Sequence, residues 1–206
     1  MIIGARNTGK TTLLEKLVDA YYYIGTKVII LDSATEHVEK SLIKRLEKKY
    51  HIIEIGSPSE DNIYSEQDIV DVISAGTESI KHFAASLFPV DILTKTKYEK
   101  IIAFDVSYYL EEGYKTTSKI EKNRLRFLYK TLSSQILLGI IYSKTYIPLN
   151  LAVVMDEIEL SIASTVALKM LSHIDYIYIT DAVHSKESIK DVYERFNVIT
   201  LSHVYN

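Results

Sequence analysis

The residues best suited to chemistry lie near the N-terminus, in Gly4–Thr11, which has the pattern G-x-x-x-x-G-K-T. The two glycines let the backbone curl so that its amides point at phosphate oxygens. In this pattern Lys10 neutralises the β- and γ-phosphates, and the hydroxyl of Thr11 ligates Mg²⁺. We therefore predict a nucleoside triphosphate site whose binding residues are Gly4, Asn7, Thr8, Gly9, Lys10, Thr11 and Thr12.

A second segment suited to chemistry is Leu151–Glu157, an apolar run that ends in two carboxylates. Such a run is typical of a buried strand. We expect Asp156 to hold the same Mg²⁺ as Thr11. We expect Glu157 to polarise the attacking water as general base, since a water-activating carboxylate is what hydrolysis of a triphosphate requires.

Two other aspartates, Asp32 and Asp105, also follow apolar runs. All three carboxylates should therefore lie at the carboxyl ends of strands, where open α/β sheets collect their ligands. We prefer Asp156 for the metal because Glu157 follows it, whereas Val106 follows Asp105.

The elements that must position these residues alternate along the chain. Short apolar runs rich in Ile and Val predict strands at 1–3, 28–31, 52–55, 101–104, 151–155, 176–179 and 198–201. Helical patterns lie between them, near 10–23, 36–49, 66–88, 116–144, 160–172 and 184–195. This rhythm predicts one three-layer α/β domain over residues 1–206, with a mostly parallel central sheet.

Some segments depart from this rhythm. Residues 105–119 are polar and rich in Tyr, and we predict a loop there. Residues 76–97 are predicted to form an insert at one edge of the sheet. In 116–144 the first half is charged and the second half is apolar, so we expect one end of this helix in solvent and the other in the core.

Composition excludes several classes of protein. Of 206 residues 47% are hydrophobic and none is Cys, which excludes disulfide scaffolds, thiolate catalysis and Cys-ligated metals. The sequence has no apolar run of membrane-spanning length and no signal pattern, so we expect a cytoplasmic protein without a membrane span. Only three residues precede the phosphate loop, which leaves open whether residues are missing before Met1.

A net charge of −3 excludes a generic nucleic-acid coat, so any DNA contact must come from a local basic patch or a ring of subunits. One basic cluster is Lys40, Lys44, Arg45, Lys48 and Lys49, whose helical spacing predicts a solvated face. A second spans Lys115–Lys130, and we favour it for DNA contact.

The order of these motifs resembles the FtsK/HerA superfamily of P-loop motor ATPases. The resemblance is carried by Gly4–Thr11, by Asp32 and Glu36 at the family's Asp-Pro-x-Gly-Glu spacing, by Phe104–Ser107 and by Val153–Glu157. The Pro and Gly of the family's pattern are absent here.

This resemblance implies a RecA-like/ASCE P-loop NTPase that hydrolyses ATP with Mg²⁺. It also implies DNA translocation or genome packaging by a ring, usually a hexamer. Family members carry a polar γ-phosphate sensor at the end of the strand after Asp-Glu, which here is Thr180 or Asp181. The arginine that acts on a neighbouring subunit's nucleotide would be Arg124, Arg126 or Arg195.

Other functions remain open at this point. The main alternative is a nucleotide or small-molecule kinase, in which 115–126 would form the Arg-rich lid. A third possibility is a binding module that does not hydrolyse nucleotide. The predicted general base Glu157 disfavours it, because such a module needs no residue to activate water. A signal-recognition-particle type of GTPase is disfavoured because the D-x-x-G and guanine-reading motifs are absent.

Overall fold

The computed structural model of this chain describes residues 2–4, 8–33, 41–75, 79, 82–83, 85–144, 150–156, 158, 176–181 and 199–201. For residues 2–4, 66, 73, 176–181 and 199–201 it describes the backbone only. The helices predicted near 160–172 and 184–195, and the first part of that predicted at 36–49, lie outside the described residues.

Seven strands form the sheet, and each matches one of the apolar runs. They are β1 (Ile2–Gly4), β2 (Lys27–Asp32), β3 (Ile53–Ile55), β4 (Ile101–Asp105), β5 (Leu151–Asp156), β6 (Tyr176–Asp181) and β7 (Ile199–Leu201). Their order across the sheet is β3-β4-β2-β5-β6-β1-β7. All six described pairings are parallel, which confirms an α/β fold with a parallel sheet.

The described residues also form six α-helices. They are α1 (Lys10–Tyr23), α2 (Leu42–Leu46), α3 (Glu66–Ser74), α4 (Phe88–Lys95), α5 (Tyr108–Lys115) and α6 (Lys119–Ser143). None of these helices is both long and apolar enough to cross a membrane.

Helices cover both faces of the sheet, because alternate residues of the central strands point in opposite directions. On one face Val28 and Ile30 of β2 pack with Leu14 and Val18 of α1 and with α2. On the other face the next residues of β2 join a larger core formed with α3, α4, α5 and α6. The arrangement is compatible with three layers.

The prediction of a loop over 105–119 is wrong for Tyr108–Lys115, which is α5. The Tyr-rich composition hides an amphipathic pattern, since Tyr109 and Gly113 lie four residues apart on one buried face. The hydroxyl of Tyr109 donates to the carbonyl of Pro58 at 2.6 Å, and Gly113 packs near Leu125 of α6. The polar residues of this segment therefore lie on a helix and not in a loop.

The two-part character predicted for 116–144 is confirmed in α6. Most residues of its first half are exposed, whereas residues 131–140 are all buried. Within the buried half, Gln135 accepts from the amide of Tyr64 at 3.1 Å and donates to the carbonyl of Asn62 at 2.8 Å. This amide side chain therefore fixes the polar loop that follows β3. Helix α4, which lies in the segment predicted as an insert, packs on α6 and places Phe88 against Phe104 of β4.

Candidate functional site: the start of α1 and the end of β5

The candidate site begins where the chain turns from β1 into α1. Gly9 precedes the helix with φ of 87°, a left-handed conformation that glycine adopts without the Cβ strain of other residues. An added Cβ there would meet nothing within 4 Å, so the backbone angle and not crowding calls for glycine. Of the predicted phosphate-loop residues, Asn7 lies outside the described part and Gly4 is described by backbone only.

Thr11 and Asp156 are brought together across 145 positions of sequence. The Thr11 hydroxyl donates to Oδ2 of Asp156 at 2.9 Å. Asp156 ends β5 and is 1% exposed, and Lys10, the first residue of α1, is 6% exposed. The two side chains predicted to share a magnesium ion therefore touch each other beside a largely buried lysine at a helix N-terminus.

This pair of oxygen ligands fits Mg²⁺, which binds one or two protein oxygens and completes its shell with water and phosphate. The ion is small and hard, and both a hydroxyl and a carboxylate suit it. Within the described residues no group of three or more His, Asp or Glu side chains is placed to hold a metal.

The order of the strands places β6 between the two halves of the site. Thr180 and Asp181 of β6 pair with Ile2 and Ile3 of β1. On its other side β6 pairs with β5, which carries Asp156. The carboxyl end of β6 therefore lies between the end of β1 and the end of β5, where Asp156 stands. The residues predicted as sensors thus occupy the gap between the two motifs.

The three aspartates at strand ends lie side by side, but their described contacts differ. Asp32 is level with Asp105 on β4 and with Asp156 on β5. The carboxylate of Asp32 accepts from the amide of Ile43 at 3.1 Å, and that of Asp105 accepts from Ser107 at 2.9 Å. Asp32 and Asp105 therefore accept hydrogen bonds from backbone amides near the starts of α2 and α5, whereas Asp156 contacts Thr11 of the phosphate loop.

An open recess lies beside two of these carboxylates, those of Asp32 and Asp105. It is lined by Asp32, Ser41, Ile43, Lys44, Glu54, Asp105 and Ser107. Hydrogen bonds from Lys44 to Glu54 and Glu47 raise the pKa of the lysine, so it stays charged at neutral pH.

Sequence reasoning missed the contact between α2 and the start of α1. Arg45 donates to the Thr12 hydroxyl from Nη1 at 3.3 Å and from Nη2 at 3.2 Å. Nη2 also lies 2.7 Å from the carboxylate of Glu15, which Lys49 approaches to 2.6 Å. Hydrogen bonds to Glu15 and then Asp19 raise the pKa of Lys49. Two residues of the cluster predicted as a solvated face, Arg45 on α2 and Lys49 in the turn after it, therefore form ion pairs with α1.

The other predicted site residues are placed as follows. Thr8 is partly exposed just before α1, and Thr12 is exposed in its first turn. Glu157, the predicted general base, and Arg195 lie outside the described residues. Arg124 pairs within the chain with Glu60 and with Glu121, whose carboxylates raise the pKa of the guanidinium.

Comparisons with known proteins add no assignment to this geometry. No model of a protein family matches the chain, and a search of curated proteins finds no significantly similar sequence.

Proposed function

We propose that this chain is an ATP-hydrolysing motor of the RecA-like/ASCE class and of the FtsK/HerA type, acting on DNA as a translocase or packaging motor. The observation that carries the proposal is the 2.9 Å hydrogen bond from Thr11 to Asp156. It joins the two motifs that the sequence assigns to one magnesium ion, and it does so at the N-terminus of a helix, where phosphate binds well.

Each group has a role in the proposed reaction. The amides of the phosphate loop and Lys10 stabilise the negative charge that develops on the transferred phosphoryl group. Thr11 and Asp156 would hold Mg²⁺, which neutralises charge on the phosphate oxygens. Glu157 is the proposed base that orients water and takes its proton.

The strand order supports the proposed RecA-like/ASCE class. One strand, β6, separates the strand of the phosphate loop from the strand of Asp156. One of its last two residues, Thr180 or Asp181, is the proposed γ-phosphate sensor, and the backbone of both pairs with β1 just before the loop begins. A polar group there would respond to the presence or loss of the terminal phosphate.

The proposed DNA-contact surface is the hairpin of α5 and the first half of α6, residues 108–130. This hairpin carries six Lys or Arg and three Glu, so its net charge is +3 in a chain whose net charge is −3. It also exposes three large aromatic side chains, Tyr108, Tyr114 and Phe127. Cations that attract phosphates and rings that stack on bases are the two components of binding to nucleic acid.

The kinase alternative gains no support from the same hairpin. An Arg-rich lid must swing over the phosphates, but Arg124 is paired with Glu60 and Glu121 on its own chain. Arg124, Arg126 and Arg195 all stay candidates for contact with a neighbouring subunit's nucleotide, and Arg126 is exposed on α6.

The test is an ATP turnover assay with and without duplex DNA, run beside a sizing measurement and with Mg²⁺ present. We expect hydrolysis without a phosphoryl acceptor, stimulation by DNA and a ring-sized assembly. Transfer of phosphate to an added small molecule would support the kinase instead. No uptake of ATP by calorimetry would refute the proposal.

A variant at the proposed base separates binding from chemistry. Glu157→Gln keeps the size of the side chain but removes its basicity, so turnover should fall at least about a hundredfold while ATP binding persists. The matched control is Glu99→Gln, next to the start of β4. Unchanged hydrolysis in Glu157→Gln would remove Glu157 from the mechanism.

A further inference from the structure

The guanidinium of Arg45 is a cation beside the phosphate loop to which the mechanism above gives no role. It lies within 3.3 Å of the hydroxyl of Thr12, in the first turn of α1. We propose that Arg45 binds the phosphate chain of the nucleotide and so supplies a second side-chain cation besides Lys10. This inference rests on the proposed nucleotide binding and extends it to a residue outside the loop.

The fold holds Arg45 in place before any ligand arrives. Ser41 caps the start of helix α2, and its hydroxyl accepts from the amide of Lys44 at 3.2 Å. The carboxylate of Asp32 accepts from Ile43 at 3.1 Å, which ties the same turn to the end of β2. The apolar side of α2 is buried against α1. A cation carried by such an anchored helix needs little ordering when the nucleotide binds.

The charges around Arg45 suit an incoming anion. The first turn of α1 contains no acidic residue, and the positive end of the helix dipole disfavours a cation there. Glu15, one turn further on, offsets this repulsion by pairing with Arg45. Glu15 is also paired with Lys49 at 2.6 Å, so its charge stays compensated if Arg45 turns towards a phosphate.

The contact with Thr12 is also weak enough to be exchanged. Its distances of 3.2 Å and 3.3 Å are at the long end for a hydrogen bond to an oxygen. A guanidinium presents five N–H donors in a planar fork, which matches the geometry of phosphate oxygens. A phosphate oxygen would therefore be a stronger acceptor than the hydroxyl.

The position of Thr12 indicates which phosphates Arg45 would reach. Lys10 is assigned to the β- and γ-phosphates and Thr11 to the metal, and Thr12 comes next along the helix, away from the loop. We therefore assign Arg45 to the part of the phosphate chain that di- and triphosphates share. Loss of Arg45 should therefore weaken the binding of ADP and of ATP by the same factor.

The experiment is calorimetric titration of the full chain with ADP and with ATP, each with Mg²⁺. We expect Arg45→Ala to bind both nucleotides about tenfold more weakly, as for the loss of one charge-assisted contact in a partly exposed site. Lys48→Ala is the matched control, because it removes an exposed cation just after α2 and leaves the pairs of Arg45 and Lys49 with Glu15 intact. It should keep the affinity of the wild type.

Three outcomes would overturn the inference: unchanged affinity in Arg45→Ala, an equal loss in Lys48→Ala, or a loss confined to ATP. If Arg45→Ala does not fold, Arg45→Lys replaces it, since lysine keeps the charge without the fork and should show a smaller loss, equal for the two nucleotides. Failure of the wild type to bind either nucleotide would instead refute the proposed function itself.

Discussion

At the scale of single residues, the contact between Thr11 and Asp156 explains a costly feature of the fold. A carboxylate that is 1% exposed is unfavourable unless hydrogen bonds or a cation compensate it. The Thr11 hydroxyl provides one such hydrogen bond, and the same two groups are hard oxygen ligands. Burial of Asp156 therefore has a rationale in the proposed metal site as well as in the structure of the sheet.

Replacing the hydroxyl tests this pair directly. Thr11→Val keeps the shape of the side chain but removes the oxygen, so Mg²⁺-dependent ATP turnover should fall about a hundredfold. The control is Thr94→Val on α4, which removes a hydroxyl that donates to the carbonyl of Val90. Steady-state hydrolysis over a range of Mg²⁺ concentrations would measure both, and equal turnover in the two variants would contradict the assignment.

A second residue-scale prediction concerns a buried lysine in β2. Lys27 is fully buried, and its ammonium donates to the carbonyls of Thr96 at 2.8 Å and Glu99 at 2.6 Å. Burial lowers the pKa of Lys27 from 10.5 to about 8, although the charge of Glu99 acts in the opposite direction. Between those two values the unfolded chain binds more protons than the folded one. The free energy of unfolding should therefore rise with pH through this window.

Urea unfolding of the wild type and of Lys27→Met at a series of pH values isolates this contribution, because all other titrating groups are shared. The difference in unfolding free energy, wild type minus variant, should increase by up to about 3 kcal/mol between pH 8 and pH 10.5. A difference that stays flat across this range would show that Lys27 keeps an ordinary pKa in the folded protein.

At the scale of elements, the buried half of α6 is held by close approach to α4. A Cβ added to Gly139 would lie 2.3 Å from Cγ of Pro89, in a ring that cannot rotate away. Gly→Ala inside a helix ordinarily gains about 1 kcal/mol, but overpacking of this kind costs about 1–3 kcal/mol. At this position the cost of overpacking should exceed the gain in helix propensity, because a contact of that length forces α4 and α6 apart.

The matched substitution lies in α5. At Gly113 an added Cβ would meet Leu125 at 3.8 Å and the carbonyl of Lys122 at 4.0 Å, which are ordinary contacts. We expect Gly139→Ala to lower the free energy of unfolding by about 1–2 kcal/mol, and Gly113→Ala to leave it unchanged or raise it slightly. Urea unfolding gives both values, and a stabilising Gly139→Ala would show that α4 and α6 are less tightly packed than described.

The elements also show what the sequence could and could not predict. All seven strands were predictable because parallel strands buried on both faces appear as continuous runs of Ile and Val. Helix α5 was not, because its apolar face consists of Tyr109, Leu110 and Gly113 among polar residues. The pairing of Arg45 with Thr12 was hidden for another reason. It joins residues 33 positions apart through the packing of two helices, which no local pattern records.

At the scale of the whole molecule, charge is distributed unevenly. The hairpin 108–130 has a net charge of +3, so the rest of the chain carries −6. Two of its lysines, Lys119 and Lys122, lie exposed at the start of α6, and Nζ of Lys122 lies 5.4 Å from the centroid of the exposed Tyr114 ring. A basic hairpin in an otherwise acidic chain should orient a polyanion towards that hairpin.

Reversing these charges is the sharpest test of a DNA-contact surface. Lys119→Glu combined with Lys122→Glu should weaken duplex binding at least about tenfold and lower the dependence of affinity on salt, because fewer counterions are released. Lys48→Glu combined with Lys97→Glu makes the same change of net charge elsewhere and should weaken binding much less. Fluorescence anisotropy with labelled duplex DNA at several salt concentrations would measure both pairs. If both double variants lost affinity equally, only net charge would matter and the hairpin would not be the contact surface. If both kept the affinity of the wild type, another part of the chain would have to bind the DNA.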